Sequence, residues 1–236
     1  MLAYDPRAIP AGPVGNLERY GRELMLHTRA YVPRNVGVGM DCAACHLDAG
    51  TKPRAGYLVG TYVRFPQWNA RAKRVITLQD RIAECFLYSM NGTPPAYFSR
   101  EMIAVDAYIA FLSRGLPVGA APDRSQRFAM TRVPVPDVVS GSHVYADRCV
   151  KCHGAQGAGT VKYPPLWGPR SFSDGAGMHR IANMAGFVRN NMPKDHPGTL
   201  TDQEAADVAA FVLAHKRPHF LRLRLLAFPR EAAGYF

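Results

Sequence analysis

Apolar residues recur at helical spacing in five stretches of the chain, and start or stop signals bound most of them. The first runs from Asn16 to Ala30. The second opens with Thr77 and Asp80 as a capping box, places Leu78, Ile82, Cys85 and Phe86 on one face, and ends at Asn91-Gly92. A third, Ser99 to Arg114, carries Ile103, Tyr108, Phe111 and Leu112 at helical spacing and stops at Gly115. A short fourth covers Gly141 to Arg148. The fifth starts at a Thr201/Glu204 capping box and turns Val208, Phe211 and Val212 inward. No strand alternation of any length interrupts them, so the pattern predicts an all-α fold.

These elements fall into two similar sets. Each contains a short helical segment, a Cys-x-x-Cys-His motif, a loop and a terminal amphipathic helix, with Ala110-Phe111-Leu112 and Ala210-Phe211-Val212 at equivalent points. Between the sets, Leu116 to Ser140 carries Pro117, Pro122, Pro134 and Pro136 with little helical period and reads as a linker crossing the surface. The expected organisation is a unit at 1–115, the linker at 116–140, a second unit at 141–219 and a tail at 220–236. A chain of 236 residues suits two small domains. In the tail, Leu221, Leu223, Leu225 and Leu226 interleave with Arg222 and Arg224, a pattern fit to dock a partner or cover the core.

Composition adds a requirement. With 19 prolines and 21 glycines, much of the backbone is non-repetitive and needs a large group to wrap around. The motifs supply one. Cys42-Ala43-Ala44-Cys45-His46 and Cys149-Val150-Lys151-Cys152-His153 both match the attachment signature of c-type haem. Two thiols three positions apart in a turn can form thioethers with the two vinyl groups on one porphyrin edge, and the adjacent histidine then points at the iron. The expected cofactors are two covalently bound haem c groups, with His46 and His153 as proximal ligands and a cytochrome c-like domain around each. Paired Cys-x-x-Cys also occurs in zinc sites and dithiol couples, but a small metal would leave the Gly/Pro-rich loops without an organising core.

A haem iron takes a sixth ligand or keeps an open position. In the second unit Met192, in Asn190-Asn191-Met192-Pro193, is the candidate, with Met178, Met184 and His179 as substitutes. Met192 follows His153 by 39 residues, and the same offset of 39 from His46 falls on Cys85, the one cysteine outside the attachment motifs. Cys85 lies on the inward face of its helix, so the expectation is a sulfur turned towards the first haem. A buried cysteine acting as a small hydrophobe is the alternative, and His27 and Met90 compete for the same axial position.

Charge and segment patterns narrow the setting. Lysine and arginine outnumber acidic residues 29 to 18, a net +11 that attracts anions. The basic residues are dispersed and no nucleic-acid motif appears, so a small anionic substrate or an acidic redox partner fits better than nucleic acid. No apolar run approaches the roughly 20 residues of a membrane span, and Met1-Leu2-Ala3-Tyr4-Asp5 lacks an apolar signal region. Because haem is attached outside the cytoplasm, the expectation is a periplasmic protein whose secretion signal is absent from this chain.

The sequence resembles the dihaem thiosulfate dehydrogenases, which are related to the sulfur-oxidation cytochromes with cysteine-ligated haem. The likeness runs through Val38 to Cys42, Cys45 to Thr51, Phe65-Pro66-Gln67, Leu78 to Ile82 with Cys85, and Ser89 to Gly92. It resumes at Gly175 to Met178, Gly186-Phe187, Asn191-Met192-Pro193 and His215 to Pro218. The resemblance implies that Cys85 is the distal ligand of a catalytic first haem and that the second haem passes electrons on. It also implies that two thiosulfate anions are coupled to tetrathionate, or the reverse, with Arg81 helping to hold the anion. Repulsion between two dianions calls for cations, and Arg71, Lys73, Arg74, Arg81 and Arg100 lie near Cys85 in sequence; Arg81 and Arg100 are the candidates. The expected redox partner is another cytochrome c or a high-potential iron–sulfur protein. The competing functions are a dihaem electron carrier without a small-molecule substrate, and a sulfur-carrier ligase of the sulfur-oxidation type.

Overall fold

A computed structural model describes residues 5–220. Six principal helices carry the fold: α1 (Pro13–Leu26), α2 (Leu78–Glu84), α3 (Arg100–Phe111), α4 (Val138–Arg148), α5 (Ile181–Asn191) and α6 (Asp202–Ala214). The all-α expectation holds with one addition. Gln67–Asn69 (β1) and Arg74–Ile76 (β2) pair antiparallel, Trp68 opposite Val75. Three-residue strands are too short to leave a periodic signature.

In each half the first long helix crosses the last. α1 meets α3 at Gly21, where a Cβ would stand 2.0 Å from the Ala104 carbonyl oxygen; α4 meets α6 at Gly141, where a Cβ would stand 2.1 Å from the Asp207 carbonyl oxygen. Only glycine permits either approach, and the two crossings are the structural counterpart of the sequence repeat. Local chemistry shifts the expected boundaries. The first helix starts at Pro13, whose fixed φ suits a first turn, and breaks at His27, where the backbone leaves helical geometry (φ −132°) before the short turn Thr28–Tyr31. α4 begins three residues earlier than expected because the Asp137 side chain accepts from the Ser140 amide at 2.6 Å and caps it.

The two halves share one continuous apolar core. Hydrogen bonds cross between them: Gly39 amide to Arg170 carbonyl at 2.7 Å, Ser173 hydroxyl to Tyr88 carbonyl at 2.5 Å, and Asn191 amide to Arg54 carbonyl at 2.8 Å. The connecting segment is woven into this core. Gln126 is buried, the Phe128 ring meets Phe187 edge-on, and the Met130 amide donates to the Ala182 carbonyl. Of the expected tail only Phe220 is among the described residues, packed edge-on against Tyr88 at 4.7 Å; 221–236 lie outside them.

Candidate active site and cofactor cavities

Cys42 opens a 3-10 turn, Cys42–Ala44, held from two sides. Its amide donates to the Thr28 hydroxyl at 3.0 Å, and the preceding Asp41 is clamped by the Arg29 amide and guanidinium at 2.8 and 3.0 Å. The break after α1 therefore has a use: it brings Thr28 and Arg29 to the motif. His46 follows, with Nδ1 2.5 Å from the Gly56 carbonyl oxygen. A carbonyl can only accept, so Nδ1 donates to it and Nε2 is the ring nitrogen left to face Cys85. Gly56 sits at φ +62°, and a Cβ there would come within 2.8 Å of His46 Nδ1. The second half repeats the device: His153 Nδ1 lies 2.9 Å from the Pro164 carbonyl oxygen. Burial pushes the His153 imidazole below its usual range, which the Pro164 bond partly offsets, and keeps it in the neutral form a metal requires.

Cys85 closes α2. The Thr77/Asp80 capping box fixes the start of that helix, and Asp80 is gripped by Arg74 at 3.0 Å and by the Tyr97 hydroxyl. After Cys85 the chain makes one wide π turn, Cys85–Ser89, with the Met90 amide bonded to the Cys85 carbonyl at 3.1 Å. Such turns recur at functional sites because they re-aim the side chains around them. The Cys85 sulfur is hydrogen-bonded to His46 and lies in the field of Arg81, one turn earlier. Arg81 is half exposed and paired to buried Glu84 at 2.9 Å.

The cysteines divide electrostatically. Burial pushes the Cys42 and Cys45 thiols up to about 12 and Cys149 to about 11. Burial would raise Cys85 too, but the Arg81 charge and the His46 bond outweigh it and hold this thiol below its ordinary value. A lowered thiol beside a cation has the character of a nucleophile and metal ligand.

Two cavities hold these groups. One, of about 1200 Å³, is lined by His46, Cys85 and Arg81 together with Arg64, Arg124 and Arg127. The Arg64 Nε and the Gln126 Oε1 in its wall are buried without a hydrogen-bond partner, and burial lowers the Arg64 guanidinium. An orphaned buried cation donor asks for an anionic acceptor, which haem with its propionates brings. The other cavity, of about 270 Å³, is lined by Cys149, Cys152 and His153 and by Met178, Met184 and Met192. This imidazole and thioether set suits iron. Both cavities therefore fit the group.

Expected site residues separate accordingly. His46, Arg81 and Cys85 line one cavity, Cys149, Cys152, His153 and Met192 the other, and Cys45 both, while Cys42 lines neither and sits on the turn just before Cys45. Arg100 lines neither; its guanidinium lies 4.4 Å over the Tyr20 ring. Arg71 stacks on Tyr88 at 3.4 Å and Arg74 serves Asp80. Of the competing ligands, His27 is 60% exposed beside Glu23, Met90 is buried outside both cavities, and His179 lines neither. Arg64, Arg124, Arg127 and Gln126 had no sequence signal, because single 3-10 turns and the loop after them leave no periodic pattern.

Residues 34–118 match the family described as SoxA/TsdA, cytochrome c domain, and residues 136–212 match cytochrome C oxidase, cbb3-type, subunit III. A thiosulfate dehydrogenase of Allochromatium vinosum is 43% identical over 90% of this chain and 82% of its own length. The chain belongs to the thiosulfate dehydrogenase family. A second thiosulfate dehydrogenase, from Stutzerimonas stutzeri, is 40% identical over 91% of the chain and 72% of its own. The solved thiosulfate dehydrogenase (TsdBA) of Marichromatium purpuratum superposes with a TM-score of 0.85 at 37% identity, over 93% of this chain and half of that one. As a thiosulfate dehydrogenase family member, the chain is all-α with two cytochrome c domains, and its cofactors are two covalently bound haem c groups.

Proposed function

We propose that the protein is a dihaem oxidoreductase that couples two thiosulfate anions to tetrathionate, or runs the reverse, at Cys85. Cys42 and Cys45 would hold one haem together with His46 and Cys85, and Cys149 and Cys152 the other together with His153 and Met192. Haem bound at these sites supplies two one-electron acceptors, which matches the two electrons released per tetrathionate formed.

The residues divide the rest of the work. Arg81 lowers the Cys85 thiol and draws the first dianion to it. The sulfane sulfur of thiosulfate bonds to the Cys85 Sγ with loss of two electrons to the two one-electron acceptors, leaving the adduct Cys85 Sγ–S–SO3⁻. A second thiosulfate attacks the sulfane sulfur of that adduct, forming tetrathionate and returning Cys85 as thiolate, with no further electron change. Arg64, Arg124 and Arg127 offset charge in the same cavity. Covalent haem attachment, which takes place outside the cytoplasm, supports a periplasmic setting with a redox protein as acceptor.

The observation that carries this reading is that Cys85, His46 and Arg81 line one cavity, with the Arg81 charge helping to hold the Cys85 thiol below its ordinary value. A pure electron carrier would set a methionine or histidine there, and His27 and Met90 stand elsewhere. Replacing Cys85 with alanine should leave two covalent haems by mass while abolishing thiosulfate-dependent reduction with ferricyanide as acceptor. Retained turnover would overturn the assignment.

A further inference from the structure

The lining of the Cys149/His153 cavity includes Val161, which is 99% exposed, and the exposed side chains of Lys162 and Lys194, so the cavity opens to solvent at this edge. Leu26, Ala43 and Ala44 of the first half line the same cavity, and Val161 itself gives its exposed edge an apolar character. The acidic residues nearby are engaged. Asp41 is held by Arg29 at 3.0 Å, and Asp195 by Lys151 at 2.5 Å. Among the described residues the Lys162 ammonium meets the Tyr163 ring, 5.5 Å away, and no carboxylate, and Lys194 has no hydrogen bond or ion pair. Two uncompensated cations therefore flank an apolar mouth on a chain of net charge +11.

We propose that this opening is the docking face for an acidic electron-accepting protein, whose carboxylates meet Lys162 and Lys194 around Val161. The proposal rests on the dihaem oxidoreductase reading and adds the place and chemistry of the electron exit. The balance is simple: each tetrathionate releases two electrons, and a one-electron acceptor protein carries them off in two encounters, its ferric centre becoming ferrous each time. Turnover by repeated encounter favours a small contact with fast exchange, and opposed charges around an apolar centre speed association without lengthening the stay.

The test uses the holoprotein reduced with dithionite, so that electron exit is read without thiosulfate chemistry. An oxidised acidic c-type cytochrome is mixed with it in stopped flow, a basic one serves as control, and affinity for the acidic cytochrome is measured with both proteins reduced. K162E/K194E is expected to weaken binding and slow the second-order rate at least tenfold for the acidic acceptor, to flatten its dependence on ionic strength, and to speed the basic one. V161E, at a fully exposed position, should also lower the acidic rate. Unchanged affinity and rate in both variants would overturn the docking face. Thiosulfate-dependent haem reduction is recorded on the same samples and should not move; its absence in the unaltered protein would count against the oxidoreductase reading alone.

Discussion

Arg81 stands one helical turn before Cys85, half exposed, with Glu84 2.9 Å away and the lowered thiol in its field. The position lets one guanidinium do two things: help to hold the Cys85 thiol below its ordinary value and present donors where an oxyanion would approach. Arg81→Gln should raise KM for thiosulfate about tenfold, the equivalent of one charged hydrogen bond of roughly 1.4 kcal/mol. Arg81→Lys should recover part of the loss. Steady-state kinetics check both, and an unchanged KM in the glutamine variant would remove Arg81 from anion binding.

At the scale of the element, α2 is a short helix whose C-terminal end must be placed well, and its capping box does the placing. Burial alone would raise the Asp80 carboxyl; bonds from Arg74, Tyr97 and the Thr77 backbone outweigh it and hold Asp80 below the usual carboxylate range. A carboxyl depressed in the folded state stabilises the fold above its unfolded value, and that contribution is lost as pH falls through the folded one. Asp80→Asn should therefore cost about 1 kcal/mol or more near neutral pH, with the gap to the unaltered protein closing below about pH 4. Denaturant melts across pH measure it; a gap that persists in acid would place the effect in packing instead. This helix was legible in the sequence because caps and a 3.6-residue period are local, and the offset of 39 residues repeated after each Cys-x-x-Cys-His motif drew attention to Cys85. The π turn after it left no local mark. Neither did the roles of Arg64 and Gln126, which depend on where the connecting segment packs. Arg100 shows the opposite error, since nearness along the chain did not bring its side chain to the cavity: α3 turns it onto Tyr20.

At the scale of the molecule, the two halves repeat one design but do not stand apart. The helix crossings at Gly21 and Gly141 were hidden in the sequence repeat, whereas the joint between halves was not visible, because Ser173, Gly39 and Asn191 reach backbone groups far away in the chain. With a shared core and these buried bonds, the holoprotein should unfold in one calorimetric transition. Two separated transitions would show the halves to be independent. Ser173→Ala, which leaves the Tyr88 carbonyl without its buried donor, should lower that transition by an amount matching about 1–3 kcal/mol.

Cys45 and Met178 line both cavities, so the partition between them is built from one side chain of each half. A wall held in common ties the histories of its owners. A domain shuffled in from another cytochrome would arrive with the wrong face for its neighbour, and a change tolerated on one side must be answered on the other. The unit of inheritance here is the pair.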